Sequence, residues 1–170
     1  MGKPVFLVGY MGSGKSTAGR KLARLLHYDF ADTDDLIVAM TGKPVEVIFR
    51  EDGEDAFRLL EHTIIRTLSR RINTVIATGG GTPCFYNNMQ LMRMAGITVY
   101  LKLHASALTR RINQSKSPRP LLRNIAPADL PDFITAHLKQ RLQHYSQAHI
   151  TVEGENLNLE ELATKIRGFR

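Results

Sequence analysis

Residues 5–17 read VFLVGYMGSGKST, an apolar run followed by three glycines, a lysine and two serines within eight positions. Few folds accommodate such a stretch. Gly9, Gly14, Lys15 and Ser16 fit G-x-x-x-x-G-K-[ST], a phosphate-binding loop between a buried strand and a helix. Glycine lets the chain curl until consecutive backbone N–H groups point inward at oxyanions. The N-terminus of the next helix adds its dipole and its free N–H groups. Lys15 is expected to place a charge on the β- and γ-phosphates, and the Ser16 hydroxyl to ligate Mg²⁺. Gly12, Ser13, Gly14, Lys15, Ser16 and Thr17 are therefore the candidate nucleotide contacts.

The helix expected after the loop carries Ala18, Leu22, Leu25 and Leu26 on one face. Further on, strand-like segments at 29–32, 74–78, 98–103 and 150–153 alternate with amphipathic helical patterns. That alternation predicts a three-layer α/β/α sandwich with a parallel sheet, one domain over 1–170. Ligands in such folds gather at the carboxyl ends of the strands. One long stretch, 113–131, has no period and holds four prolines. A basic, hinged loop of this length in a phosphate-binding chain predicts a mobile lid, at about 113–124.

Composition narrows the partners. The formal charge is +7, but the basic residues are scattered and there is no tryptophan. This pattern suits small polyanions such as ATP and a carboxylate, so no nucleic-acid partner is expected. The opening MGKPVFLVG carries no leader pattern, and the uncharged stretch 72–92 is broken by Gly79, Gly80, Gly81 and Pro83. No membrane partner is expected, and with the single Cys84 a cytoplasmic location is. No heptad seam is visible, so a monomer is expected. The six histidines show no metal-ligand spacing.

Two further constellations bear on chemistry. Asp32-Thr33-Asp34 ends the second strand candidate. One carboxylate is able to hold Mg²⁺, directly or through water, and the other to accept a substrate hydroxyl or its proton. Alternatively Asp34 or Asp35 caps the following helix. The third strand ends in Gly79-Gly80-Gly81 where phosphate-loop proteins usually have an aspartate, which allows a ligand to approach the backbone closely. Spacing alone pairs Arg58 with Glu54 or Glu61 along a helix surface.

In order along the chain stand GYMGSGKST at 9–17, DTD at 32–34, IFREDGEDAFRLLE at 48–61, ATGGG at 77–81, PRPLL at 118–122 and QRLQHY at 140–145. This ordered set resembles the shikimate kinases of the nucleoside-monophosphate-kinase-like group. The resemblance implies transfer of the ATP γ-phosphoryl group to the 3-hydroxyl of shikimate, on the route to chorismate and aromatic amino acids. It also implies the strand order 2-3-1-4-5 and substrate-binding helices over about 34–61. By the same resemblance Lys15, Asp34 and Arg119 are catalytic, and Ser16 and Asp32 serve the metal. Asp34, Arg58, Arg141, Gly80, Gly81, Phe49 and Phe57 hold the substrate. Arg110 covers the adenine, and Arg119 comes down with the lid onto ATP. The chain departs from the family after the last strand. Glu153 and Leu159 of VEGENLNL replace an aspartate and a proline there, so no adenine contact is assigned to that loop.

Overall fold

The computed structural model of the protein describes residues 2–116 and 119–169. Five strands form one sheet: β1 Val5–Val8, β2 Asp29–Asp32, β3 Thr74–Ala77, β4 Ile97–Lys102 and β5 Ile150–Glu153. Their spatial order is β2-β3-β1-β4-β5, and every neighbouring pair is parallel. The helices are α1 Lys15–Leu26, α2 Thr33–Thr41, α3 Val45–Glu51, α4 Gly53–Leu68, α5 Asn88–Ala95, α6 Ala105–Gln114, α7 Leu130–Tyr145 and α8 Leu159–Gly168.

Side-chain alternation along β1 divides the core into two. Val5 and Leu7 join Val75, Val99 and Leu101 beneath α1 and α8, packed by Leu22, Leu162 and Ile166. Phe6 and Val8 face the other layer, with Ile37, Ile65, Met92, Leu108 and Ile134 from the remaining helices. Both faces of the sheet are thus covered, as its nearly continuous apolar strands require. Each fully buried Leu, Ile or Phe side chain contributes about 1.5–3 kcal/mol.

Several boundaries differ from the sequence expectation, the fourth strand also ending one residue early, at Lys102. The third strand stops at Ala77, because the Thr78 N–H and hydroxyl both turn to the Leu7 carbonyl, at 3.2 and 3.0 Å. The fourth begins at Ile97, which pairs with Val5. The cap of α2 is neither Asp34 nor Asp35 but Asp32, whose side chain accepts the Asp34 N–H at 3.0 Å. Within the stretch read as non-periodic, α6 runs on to Gln114, a 3₁₀ turn covers Pro120–Leu122, and α7 starts at Leu130. Residues 117 and 118, which belong to the expected lid and include the first proline of PRPLL, lie outside the described residues. Among the described residues no helix is long and apolar enough to cross a membrane.

The topology places the site. β1 and β3 are neighbours at the centre of the sheet, but their outgoing connections lead to opposite sides. The loops that follow them, the phosphate loop and the triple glycine, therefore emerge side by side at the carboxyl edge. Helices α2, α3 and α4, spanning the expected substrate-binding region, pack on one another beside that edge.

Candidate active site

The phosphate loop closes over its own lysine. Gly14 caps α1 at φ 88°, a left-handed conformation that favours glycine. Lys15 Nζ donates to the Gly9 and Tyr10 carbonyls at 2.7 and 2.8 Å, and lies 3.4 Å from Ser13 Oγ. Burial pulls the Lys15 ammonium down to about 7, while the charge of Asp34 works in the other direction. A cleft of about 530 Å³ lies in front of this loop, lined by Gly12, Gly14, Lys15, Ser16, Thr17, Asp32 and Asp34. Ser13 is buried beneath it.

Ser16 Oγ donates to Asp32 Oδ2 at 2.5 Å. A hydroxyl and a carboxylate side by side are hard oxygen donors suited to Mg²⁺, which takes one or two protein oxygens and fills its remaining positions with phosphate and water. Among the described residues no group of three or more His, Cys, Asp or Glu could hold a metal by itself. Asp32 also caps α2, so one side chain serves the helix and the candidate metal position together.

A second cleft, of about 250 Å³, opens on the other side of Asp34. Phe49 and Phe57 form an apolar wall, their rings 4.6 Å apart. Arg58 and Arg141 line the same cleft, and both are buried. Arg58 makes both of the ion pairs weighed from spacing, one inside the protein with Glu61 and one at the surface with the exposed Glu54. Its Nη1 donates to Glu61 Oε2 at 2.7 Å and its Nη2 to Glu54 Oε1 at 2.9 Å. Glu61 is itself buried and accepts the Thr82 hydroxyl at 2.5 Å. The Phe85 ring lies 4.2 Å from the Arg58 guanidinium carbon. Burial opposes the charge on Arg58, but Glu61 and Glu54 outweigh it and raise its pKa. Arg141 has no such partner: its Nη1 is buried without a hydrogen bond.

The triple glycine serves clearance, since none of its three residues has a positive φ. A Cβ at Gly81 would lie 2.5 Å from Arg58 Nη1, and one at Gly80 would lie 2.9 Å from the Met11 backbone nitrogen. The loop thus passes between the arginines and the phosphate loop with no room for a side chain.

The two clefts share Met11, Asp34, Gly79, Gly80 and Arg119. Asp34 Oδ1 is buried with no partner. Burial first, then the charges of Asp32 and Glu61, push its carboxyl up to about 6. Arg119 Nε is likewise buried and unpartnered, and burial lowers its pKa. Arg110 stands outside both clefts; its Nη2 pairs with Glu155 Oε1 at 2.9 Å, and its side chain is 61% exposed. Arg111 is the one that turns inward, donating to the Ser13 carbonyl at 3.2 Å. Sequence reasoning passed over Arg111, Thr33, which accepts the Gly79 N–H at 3.0 Å, and the structural part of Glu61. For Glu61 the signal was present as the third residue after Arg58, but helical spacing reads the same for a buried pair as for an exposed one.

The sequence model of shikimate kinase matches residues 11–169. The chain belongs to the shikimate kinase family. A shikimate kinase of Parabacteroides distasonis is 41% identical over 158 residues, covering 93% of this chain and 91% of the relative. One from Clostridium botulinum is 38% identical, covering 98% and 95%. The crystal structure of the Bacteroides thetaiotaomicron shikimate kinase superposes with a TM-score of 0.88 at 38% identity, over 98% of this chain and 97% of the other. The Acinetobacter baumannii shikimate kinase, solved in complex with shikimate, gives 0.88 at 35% identity over 98% and 92%. A gluconokinase of Sinorhizobium meliloti, at 19% identity and a TM-score of 0.60, shares the fold. The family agrees with the resemblance read from the ordered motifs, and the strand order is the one it implies.

Proposed function

We propose that this family member transfers the γ-phosphoryl group of ATP to the 3-hydroxyl of shikimate, giving shikimate 3-phosphate and ADP on the route to chorismate and aromatic amino acids. The observation that carries the reading is the meeting of two unlike clefts at Asp34. One is a phosphate loop with a buried lysine, the other an apolar slot with two buried arginines. Two arginines suit the carboxylate of shikimate, because a planar guanidinium gives it parallel charge-assisted bonds. Asp34, at the junction, accepts the proton as the ring hydroxyl attacks the γ-phosphorus. The new oxygen–phosphorus bond forms as the bond to the β-phosphate oxygen breaks, and ADP leaves with the electron pair. Lys15 and Arg119 neutralise the charge on the transferring group, since positioning and electrostatics do most of the work in this chemistry. Ser16 and Asp32 would hold Mg²⁺, which supplies further charge neutralisation on the β- and γ-phosphates.

Phe49 and Phe57 wall the acceptor, the Gly80 and Gly81 N–H groups face it, and Gly12 to Thr17 cradle the phosphates. Arg110 serves the adenine side. The chain works as one domain with the lid at 113–124, as a monomer in the cytoplasm, with no nucleic-acid or membrane partner. The test is ADP release from Mg-ATP with shikimate, gluconate, AMP or no acceptor, the product phosphate being located by NMR. Stimulation by shikimate alone, with phosphate on one ring hydroxyl, is the expected result. Stimulation by gluconate or AMP refutes the acceptor assignment.

A further inference from the structure

Three side chains recur at four-residue intervals along α7: His137, Arg141 and Tyr145. At that spacing they share one helical face. The middle one lines the acceptor cleft. The outer two reach the two loops that flank it. His137 Nδ1 lies 2.9 Å from the Tyr10 hydroxyl, and their rings meet edge-on at 5.5 Å. The Tyr145 hydroxyl donates to the Gly80 carbonyl at 2.6 Å. Tyr10 belongs to the phosphate loop, and its own carbonyl accepts from Lys15 Nζ at 2.8 Å. Helix α7 is therefore pinned to the phosphate loop at its midpoint and to the glycine loop at its last residue, with Arg141 between the pins.

Arg141 depends on such pins more than Arg58 does. Glu54 and Glu61 hold the Arg58 guanidinium. No carboxylate pairs with Arg141 among the described residues, and its Nη1 is buried without a partner. Its direction is set by the helix that carries it, by the Tyr145 hydroxyl on the next turn and by the Tyr10 ring 5.6 Å away. Protonation states agree with a neutral pin. Burial pushes the Tyr10 phenol up to about 12. Burial, Arg141 and Arg58 bring the His137 imidazole down to about 4, against a small contribution from Glu54. At neutral pH both groups are uncharged, and a phenol and a neutral imidazole share one hydrogen bond whose direction follows the imidazole tautomer.

We infer that Tyr10 and His137 are a positioning pair, which aims Arg141 at the acceptor carboxylate from the phosphate loop. This rests on the reading of shikimate as acceptor. The experiment is steady-state kinetics on wild type, His137→Leu, His137→Gln and Tyr10→Phe, with His137→Leu repeated in an Arg141→Ala background. Losing one such hydrogen bond should raise the shikimate KM about 3- to 10-fold in His137→Leu, with kcat held within about twofold. His137→Gln, whose amide accepts or donates, should recover most of the loss. In the Arg141→Ala background His137→Leu should add nothing, because the pair acts only through that arginine. Tyr10→Phe removes a single oxygen and gives a second reading should His137→Leu fail to fold. The inference is overturned if kcat and both KM values shift together, if the shikimate KM does not change, or if the His137→Leu loss persists in full without Arg141. Any of these with an active wild type leaves the kinase assignment standing. A wild-type chain inert toward shikimate overturns both.

Discussion

Asp34 sits where chemistry and stability conflict. Its carboxyl is moved from an ordinary 3.8 to about 6 by burial and by Asp32 and Glu61, and Oδ1 has no hydrogen-bond partner. Between about pH 4 and pH 6 the folded chain keeps a proton that the unfolded chain has released. The Asp34 contribution to stability therefore falls as pH rises through that window and is constant above it, while Lys15, held down at about 7, adds stability as pH rises past 7. Ionising the buried group costs the fold about 3 kcal/mol, at 1.36 kcal/mol for each tenfold change in proton affinity. The Asp34→Asn variant has no proton to lose. It should be more stable than the parent by about 2–3 kcal/mol at pH 8, the amide's own unmet hydrogen bonds taking back part of the gain. The difference should shrink toward zero near pH 4. Urea unfolding at pH 8, 6 and 4, extrapolated linearly to water, measures it directly. Phosphoryl transfer should fall about 100-fold or more in the same variant. A variant less stable than the parent at pH 8, or a difference independent of pH, would refute the claim that burial and the neighbouring carboxylates outweigh Lys15 at Asp34.

Other expectations follow from the same geometry. Lys15→Ala should abolish transfer while the chain stays folded by circular dichroism, since its three contacts are all within its own loop. Arg58→Ala should weaken shikimate binding by about 2–4 kcal/mol in calorimetry. The same substitution leaves Glu61 buried without its cation, so the urea midpoint should drop as well. Arg119→Ala should lower kcat far more than ATP affinity; equal losses would make it a ground-state contact.

The β1 strand, the phosphate loop and the strand order are matters of local pattern and family motif, and the ordered motifs reached them. What they did not reach depends on packing across the chain. Helix α5 lies at the edge of an uncharged stretch whose glycines dominate its appearance in sequence. Arg110 and Arg111 are adjacent on α6, about 100° apart around its axis, and a shift of one residue in phase exchanges the surface arginine for the inward one. Likewise Asp32, Asp34 and Asp35 are three acids at one helix start; backbone geometry gives the cap to the first and leaves Asp34 free to face the cleft. The Arg58 pairs were legible, but the burial of Arg58 and Glu61 was not. Phe85, Thr82 and the glycine loop that seal them lie more than twenty residues away.

That seal gives the triple glycine a reason that can be tested apart from any ligand. If flexibility were its purpose, alanine would be a mild change. Gly81 has φ −86°, so alanine there meets no backbone penalty. The obstacle is Arg58: a Cβ on residue 81 would lie 2.5 to 2.7 Å from three atoms of the guanidinium. That group cannot yield without breaking its 2.7 Å bond to Glu61, and Glu61 is tied in turn to Thr82. Gly81→Ala should therefore move Arg58 and destabilise the fold by about 1–3 kcal/mol, as overpacking does. It should raise the shikimate KM about tenfold while the ATP KM changes little, because the phosphate loop borders Gly80 and not Gly81. Kinetics paired with urea unfolding separates the two readings. A Gly81→Ala enzyme with parental stability and parental shikimate KM would mean that the loop yields and the arginine does not, returning the three glycines to flexibility.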